Sequence, residues 1–107
     1  MTEQIKRIMA MEEDMDEVCR KLEDLSAALD GYEEILPRMI KLMDYYDNGT
    51  WMADYRDDEE GKLPVDLKRG VLSEDGLYDV LAEHRRILDK MKELFENEEN
   101  KRKKTET

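Results

Sequence analysis

The sequence predicts an all-α protein in which a long, kinked N-terminal helix and a shorter C-terminal helix form an antiparallel, coiled-coil-like hairpin. Apolar residues recur at alternating steps of three and four through the first half of the chain. Charged residues make up 44% of the 107 residues and aromatic residues only 7%, and just two prolines and five glycines interrupt them. This composition is typical of helix-rich proteins, and the length is that of a single domain, here residues 1–100.

The apolar repeat defines the first helix, which we expect from about residue 3 to 47. Steps of three and four keep the apolar residues on one face of a helix. The members of the repeat are Ile8, Met11, Met15, Val18, Leu22, Leu25, Leu29, Tyr32, Leu36, Met39, Met43 and Tyr46. The repeat keeps its phase past Gly31 and Pro37, which favours one helix kinked near residues 33–37 over a break at Asp30-Gly31.

The repeat changes in width along the first helix. From Ile8 to Leu29 it is flanked by mostly small or polar residues, which is typical of a narrow coiled-coil seam. These flanking residues are Glu12, Asp14, Cys19, Lys21, Ser26 and Ala28. After residue 33, Ile35, Ile40 and Leu42 widen the stripe into a face that we expect the last helix to cover. The thiol of Cys19 is expected to be buried or half-buried beside the seam.

A connector over residues 48–72 should follow, since Asn48 and Gly49 tolerate the positive φ that often ends a helix. A short helix is expected over residues 51–56. Trp51 and Tyr55 lie there, close in sequence to Tyr45 and Tyr46. Such rings form either a local core or a protein-binding patch, and the two interpretations are compatible.

The last helix is expected over about residues 73–98. Ser73 is a suitable N-cap, and Leu72 can pack on Leu77 across it. The helix carries a wide, core-facing stripe that comprises Leu77, Val80, Leu81, His84, Ile87, Leu88, Met91, Leu94 and Phe95. Residues 101–107 are expected to be a disordered charged tail.

The two long helices differ in length, and this difference predicts an uncovered surface. A last helix of ~26 residues is ~39 Å long and would reach back along the first helix only to about residue 20. Ile8, Met11, Met15 and Val18 would then stay bare, which is unfavourable for a soluble monomer. We therefore expect association with a second copy, as a homodimer, or with another helical protein.

Several functions are disfavoured by the sequence. The net charge of −11 opposes nucleic-acid binding, and no stretch approaches the ~20 apolar residues of a membrane span. We identify no catalytic set, no cofactor motif and no metal site, and we expect no enzymatic activity. A solvated acidic turn is the favoured interpretation of a group of carboxylates, Asp54, Asp57, Asp58, Glu59 and Glu60.

The connector and its flanks carry a more specific pattern of residues. It comprises Asp44-Tyr45-Tyr46, Gly49, Trp51, Asp54-Tyr55, Gly61, Leu63-Pro64, Asp66 to Asp75 and Leu77-Tyr78. In these residues the chain resembles small bacterial proteins known as domain-of-unknown-function family 4298, over roughly residues 3–90. The resemblance implies a short, cytoplasmic, single-domain protein and supplies no activity, cofactor or catalytic residue.

The sequence favours a protein–protein interaction or self-association module. Its predicted interaction residues are Ile8, Met11, Met15, Val18, Trp51, Tyr55, Lys68 and Arg69. Lys68 and Arg69 are expected either to pair with nearby aspartates or to form a small basic spot. An alternative is an acidic inhibitor or nucleic-acid mimic that binds a basic protein through the carboxylates of the first helix.

Overall fold

Three α-helices make up most of the fold. The computed structural model describes the backbone of residues 2–106 and the side chains of residues 2–104. Helix α1 spans Thr2–Asp47, α2 spans Thr50–Glu59 and α3 spans Gly76–Glu106, with a 3₁₀ turn at Gly70–Leu72 before α3. Residues 2–106 contain no strand. The predicted all-α class is confirmed, and the order of a long, a short and a long helix is compatible with a helical hairpin.

Helix α1 continues without a break past Gly31 and Pro37, the two residues that disfavour a helix. Gly31 and Pro37 lie inside a helix of 46 residues. Proline removes a single hydrogen bond from the backbone ladder, while the apolar repeat continues unchanged on both sides of it. One uninterrupted helix is therefore confirmed, and the alternative of a break at Asp30-Gly31 is wrong.

The junction between α1 and α2 is a turn at Asn48 and Gly49. Gly49 has a φ of 92°, a left-handed conformation that glycine adopts without steric cost. The side-chain oxygen of Asn48 accepts a hydrogen bond from the Thr50 amide at 2.9 Å. Helix α2 then runs to Glu59, three residues past the predicted end at Arg56.

Ser73 caps the start of α3. The Gly76 amide donates to the Ser73 hydroxyl oxygen at 3.0 Å, and that hydroxyl donates to the Gly70 carbonyl at 2.9 Å. The regular helix begins at Gly76, three residues past the predicted start at Ser73. The N-cap residue itself lies outside the helix. Leu72 and Leu77, on either side of the cap, are both buried in one cluster.

The far end of α3 corrects a prediction. The helix continues to Glu106 instead of ending near Glu98, so the predicted disordered tail at 101–107 is helical as far as it is described. Residues 99–106 include strong helix formers and no glycine or proline. Lys103 and Lys104 in the last turn also interact favourably with the helix dipole.

The chain divides into two compact units, residues 1–40 and residues 41–107. The second unit contains a small core of Trp51, Leu72 and Leu77, which are 7%, 7% and 3% exposed. The apolar side chains packed against this core are Leu42, Tyr45, Tyr46, Tyr55, Leu63 and Leu81. Within α1 no residue is buried.

The wide apolar stripes are less covered than predicted. Ile35 and Ile40 are 48% and 58% exposed, although Leu42 is half-buried. On α3, Leu77 is buried, and four other members of the stripe are half-buried, namely Leu81, His84, Leu88 and Met91. The remaining members are exposed, namely Val80, Ile87, Leu94 and Phe95. The number of apolar residues in a stripe is therefore larger than the number of side chains that a single chain buries.

Candidate functional site

The most extensive exposed apolar surface within residues 2–40 is the helical repeat of α1. Ile8, Met11, Met15 and Val18 are 51%, 55%, 54% and 54% exposed. The same exposure continues through the next three members of the repeat, Leu22, Leu25 and Leu29. We refer to these seven residues, Ile8 to Leu29, as the α1 seam. The exposed row is longer than the predicted bare surface, since it also includes Leu22, Leu25 and Leu29.

Charged and small side chains flank the α1 seam. Asp14 and Lys21 are exposed, and neither has an ion-pair partner in the part of the chain that the structure describes. Glu17 and Arg20 lie on the outer side of the helix and form an ion pair with each other. Cys19 is exposed, contrary to the burial expected for it.

Trp51 is the centre of the core of residues 41–107. Its indole N–H donates to the Val71 carbonyl at 2.7 Å and so connects α2 to the turn before α3. The ring stacks on Tyr55 at 5.1 Å between centroids and lies at a tilt against Tyr46 at 5.2 Å. Of the two interpretations of these aromatics, the local core is the one the structure shows.

Tyr45 and Asp54 make a second connection between α1 and α2. The Tyr45 hydroxyl donates to a carboxylate oxygen of Asp54 at 2.7 Å. Burial raises the pKa of Tyr45 to about 12, and the hydrogen bond to Asp54 and its negative charge act in the same direction. The phenol is therefore held neutral as a hydrogen-bond donor.

Arg69 ties the connector to the end of α2. Its guanidinium lies 2.7 Å from Asp58, and it also donates to the carbonyls of Pro64 and Leu67. Pairing with an aspartate is thus what the structure shows for Arg69. Lys68 is exposed and forms no ion pair within the described residues.

The carboxylates predicted to form a solvated acidic turn lie mostly in a helix, since Asp54 to Glu59 belong to α2. Four of the five have a partner side chain. Asp54 accepts from Tyr45, Asp58 pairs with Arg69, and Lys62 lies 3.8 Å from Asp57 and 2.8 Å from Glu60. Within the described residues, no three histidine, cysteine, aspartate or glutamate side chains are grouped so that they could hold a metal ion.

Two shallow clefts lie on the surface of residues 41–107. One, of about 230 Å³, is mainly apolar and is lined by Leu42, Gly70, Val71, Gly76, Leu77 and Val80. The other, of about 150 Å³, is lined by Met43, Asp47, Leu81, His84, Arg85 and Leu88. His84 is half-buried and is one of the residues that line the second cleft.

Comparisons with known proteins place the chain in a family. No helix within the described residues is long and apolar enough to cross a membrane. Neither the curated proteins nor the solved structures gave a match to this sequence. A family model described as a domain of unknown function, DUF4298, matches residues 8–94, which include the α1 seam, the connector and much of α3. The chain therefore belongs to the DUF4298 family.

Proposed function

We propose that this protein is a non-enzymatic helical module that self-associates through the α1 seam. The observation that carries the proposal is the exposure of all seven seam residues, which range from 43% to 58% exposed. A continuous apolar row of this kind on a soluble protein marks an interaction surface. The proposal takes the protein to be cytoplasmic, as the family resemblance implies.

The length of the α1 seam supports a helical partner. Ile8 and Leu29 are 21 residues apart, which corresponds to about 32 Å along a helix axis. A narrow seam with small or polar flanks accommodates one other helix, because a second helix covers the apolar row while the flanking polar groups stay in water. Burying the row releases about 25 cal/mol for each Å² of apolar surface removed from water.

A pair of methionine substitutions tests the proposal. Met15 lies in the seam, whereas Met9 lies outside it on the same helix, and the two are 54% and 62% exposed. We expect Met15→Glu to weaken self-association at least about tenfold, because each copy would bury a carboxylate in the apolar interface. Met9→Glu should change it little, because Met9 faces water in both states.

Sedimentation equilibrium of the full chain at micromolar concentrations measures this difference, with helicity checked by circular dichroism. A wild-type chain that stays monomeric throughout that range contradicts the proposal. Equal effects of Met15→Glu and Met9→Glu contradict it as well, since they would show that the interface does not involve the seam.

A further inference from the structure

We infer that the occupant of the α1 seam is a second copy of this chain, bound antiparallel in one register. This inference rests on the proposed self-association and adds the direction and the alignment of the two helices. In the heptad notation of coiled coils, Ile8, Met15 and Leu22 occupy a positions, and Met11, Val18 and Leu25 occupy d positions. Each is exposed in the single chain.

The apolar residues themselves disfavour a parallel pair. Parallel two-stranded coiled coils favour a β-branched residue at a and leucine at d. In this chain Ile8 at a and Leu25 at d follow that preference. Three residues depart from it, since Leu22 and Leu29 occupy a positions and the β-branched Val18 occupies a d position. An antiparallel pair sets a residues of one helix against d residues of the other, so each layer combines two different side chains.

One antiparallel register covers six of the seven seam residues, Ile8 to Leu25, in three kinds of layer. Met15 faces Val18 of the second copy in the central layers. Met11 faces Leu22 next, and Ile8 faces Leu25 in the outer layers. Each layer occurs twice by symmetry, so twelve apolar side chains that are exposed in the single chains become covered.

The flanking charges are complementary in the same register. Asp14 of each copy lies beside Lys21 of the other, which gives two symmetric ion pairs from groups that have no partner within the described chain. Such charge complementarity fixes register and orientation.

Other alignments place like charges together. Shifting one helix by a heptad in one direction sets Lys21 against Lys21 of the second copy. Shifting it in the other direction sets Asp14 against Asp14, and like charges suppress such alignments. Glu12 flanks the seam, whereas five other carboxylates of this region lie at the outer positions of the repeat, away from the interface: Glu13, Asp16, Glu17, Glu23 and Asp24.

A charge-swap experiment on the full chain tests the register. Asp14→Lys and Lys21→Glu each turn both ion pairs into like-charge contacts, so we expect each to raise the dimer Kd about tenfold. The double variant Asp14→Lys/Lys21→Glu restores opposite charges and keeps the net charge of −11, so its Kd should return close to that of the wild type.

The two single variants also distinguish the effect of the ion pairs on Kd from the effect of the net charge. Asp14→Lys makes the chain less acidic and Lys21→Glu makes it more acidic, so overall repulsion would change Kd in opposite directions. A shared weakening that the double variant reverses supports the register. Sedimentation equilibrium at low salt measures all three variants, since salt screens exposed ion pairs.

Arg7→Glu is the control that distinguishes a parallel dimer. In the antiparallel register Arg7 lies beside Ala28, and its substitution should have little effect. In a parallel dimer Arg7 lies beside Glu12 of the second copy, so only Arg7→Glu would weaken association. That result overturns the antiparallel register and leaves the proposed self-association intact. A dimer whose Kd is unchanged in all these variants has the same consequence. A wild-type chain that is monomeric overturns both the register and the self-association.

Discussion

At the scale of single residues, the core of residues 41–107 depends on a few directional contacts. Only Trp51, Leu72 and Leu77 are buried among the described side chains. Around them, hydrogen bonds join segments that are distant in sequence, from Trp51 to Val71 and from Tyr45 to Asp54. In a core this small, each such contact accounts for a large share of what holds the segments together.

Tyr45 should make stability depend on alkaline pH. Its pKa is raised from 10.0 to about 12 in the folded chain, first by burial and then by Asp54. Because the folded pKa exceeds the unfolded one, the contribution is fully present below pH 10 and is lost as the pH rises through about 12. We expect the unfolding free energy to fall more steeply in this range for the wild type than for Tyr45→Phe.

Denaturant unfolding at a series of alkaline pH values, followed by Trp51 fluorescence, measures this difference. Tyr78 is 58% exposed and provides the matched control, since Tyr78→Phe should leave the pH dependence as it is in the wild type. The explanation fails if Tyr45→Phe has the same pH profile as the wild type.

Gly76 should be essential to the start of α3. A Cβ atom there would lie 2.6 Å from the Gly70 carbonyl oxygen and would also collide with the Ser73 hydroxyl that caps the helix. We expect Gly76→Ala to lower the unfolding free energy by roughly 1–3 kcal/mol, through crowding and loss of the cap. Thermal and urea unfolding would measure the change.

Gly31 is the control for Gly76, because it lies inside α1 and a Cβ atom there would meet open space. Alanine is preferred to glycine in a helix interior by about 1 kcal/mol, so Gly31→Ala should stabilise the helix. If both substitutions act in the same direction, steric crowding at Gly76 is not the cause.

At the scale of helices and turns, local patterns in the sequence correctly predicted the type of each secondary-structure element and the order of the helices. The heptad repeat predicted α1 from about residue 3 to 47, and α1 spans Thr2–Asp47. Ser73 was recognised as the cap because its role depends on residues within three positions of it. The end of α3 was missed, because a highly charged C-terminal segment can equally be a solvated helix or a disordered tail.

Burial was harder to predict than helix type. Periodicity shows which side chains share a face, but it does not show what covers that face. The exposure of Ile40 and Phe95, at 58% and 66%, illustrates the difference. The sequence allowed Arg69 either to pair with nearby aspartates or to form a basic spot, and only the path of the connector selects Asp58.

At the scale of the whole molecule, the two units differ in how much side-chain surface they bury. Residues 41–107 contain a core of their own, whereas no residue of α1 is buried. A helix without tertiary packing is only marginally stable in water, even when its sequence favours the helix. The proposed self-association would supply that packing for residues 1–40.

The melting midpoint measured by ellipticity should therefore depend on protein concentration, whereas the midpoint measured by Trp51 fluorescence should not. Ellipticity reports largely on the long helices, and association stabilises α1 by mass action, so the melting midpoint from ellipticity should rise with concentration. Trp51 fluorescence reports on the core of residues 41–107. Its midpoint should stay nearly constant over the same concentrations.

The Met15→Glu variant is the control for this experiment. Without the apolar interface, its ellipticity midpoint should no longer rise with concentration, while the fluorescence midpoint should match that of the wild type. If the wild-type signals melt together at every concentration, the chain unfolds as one cooperative unit. Association through α1 would then also raise the melting midpoint of the core around Trp51.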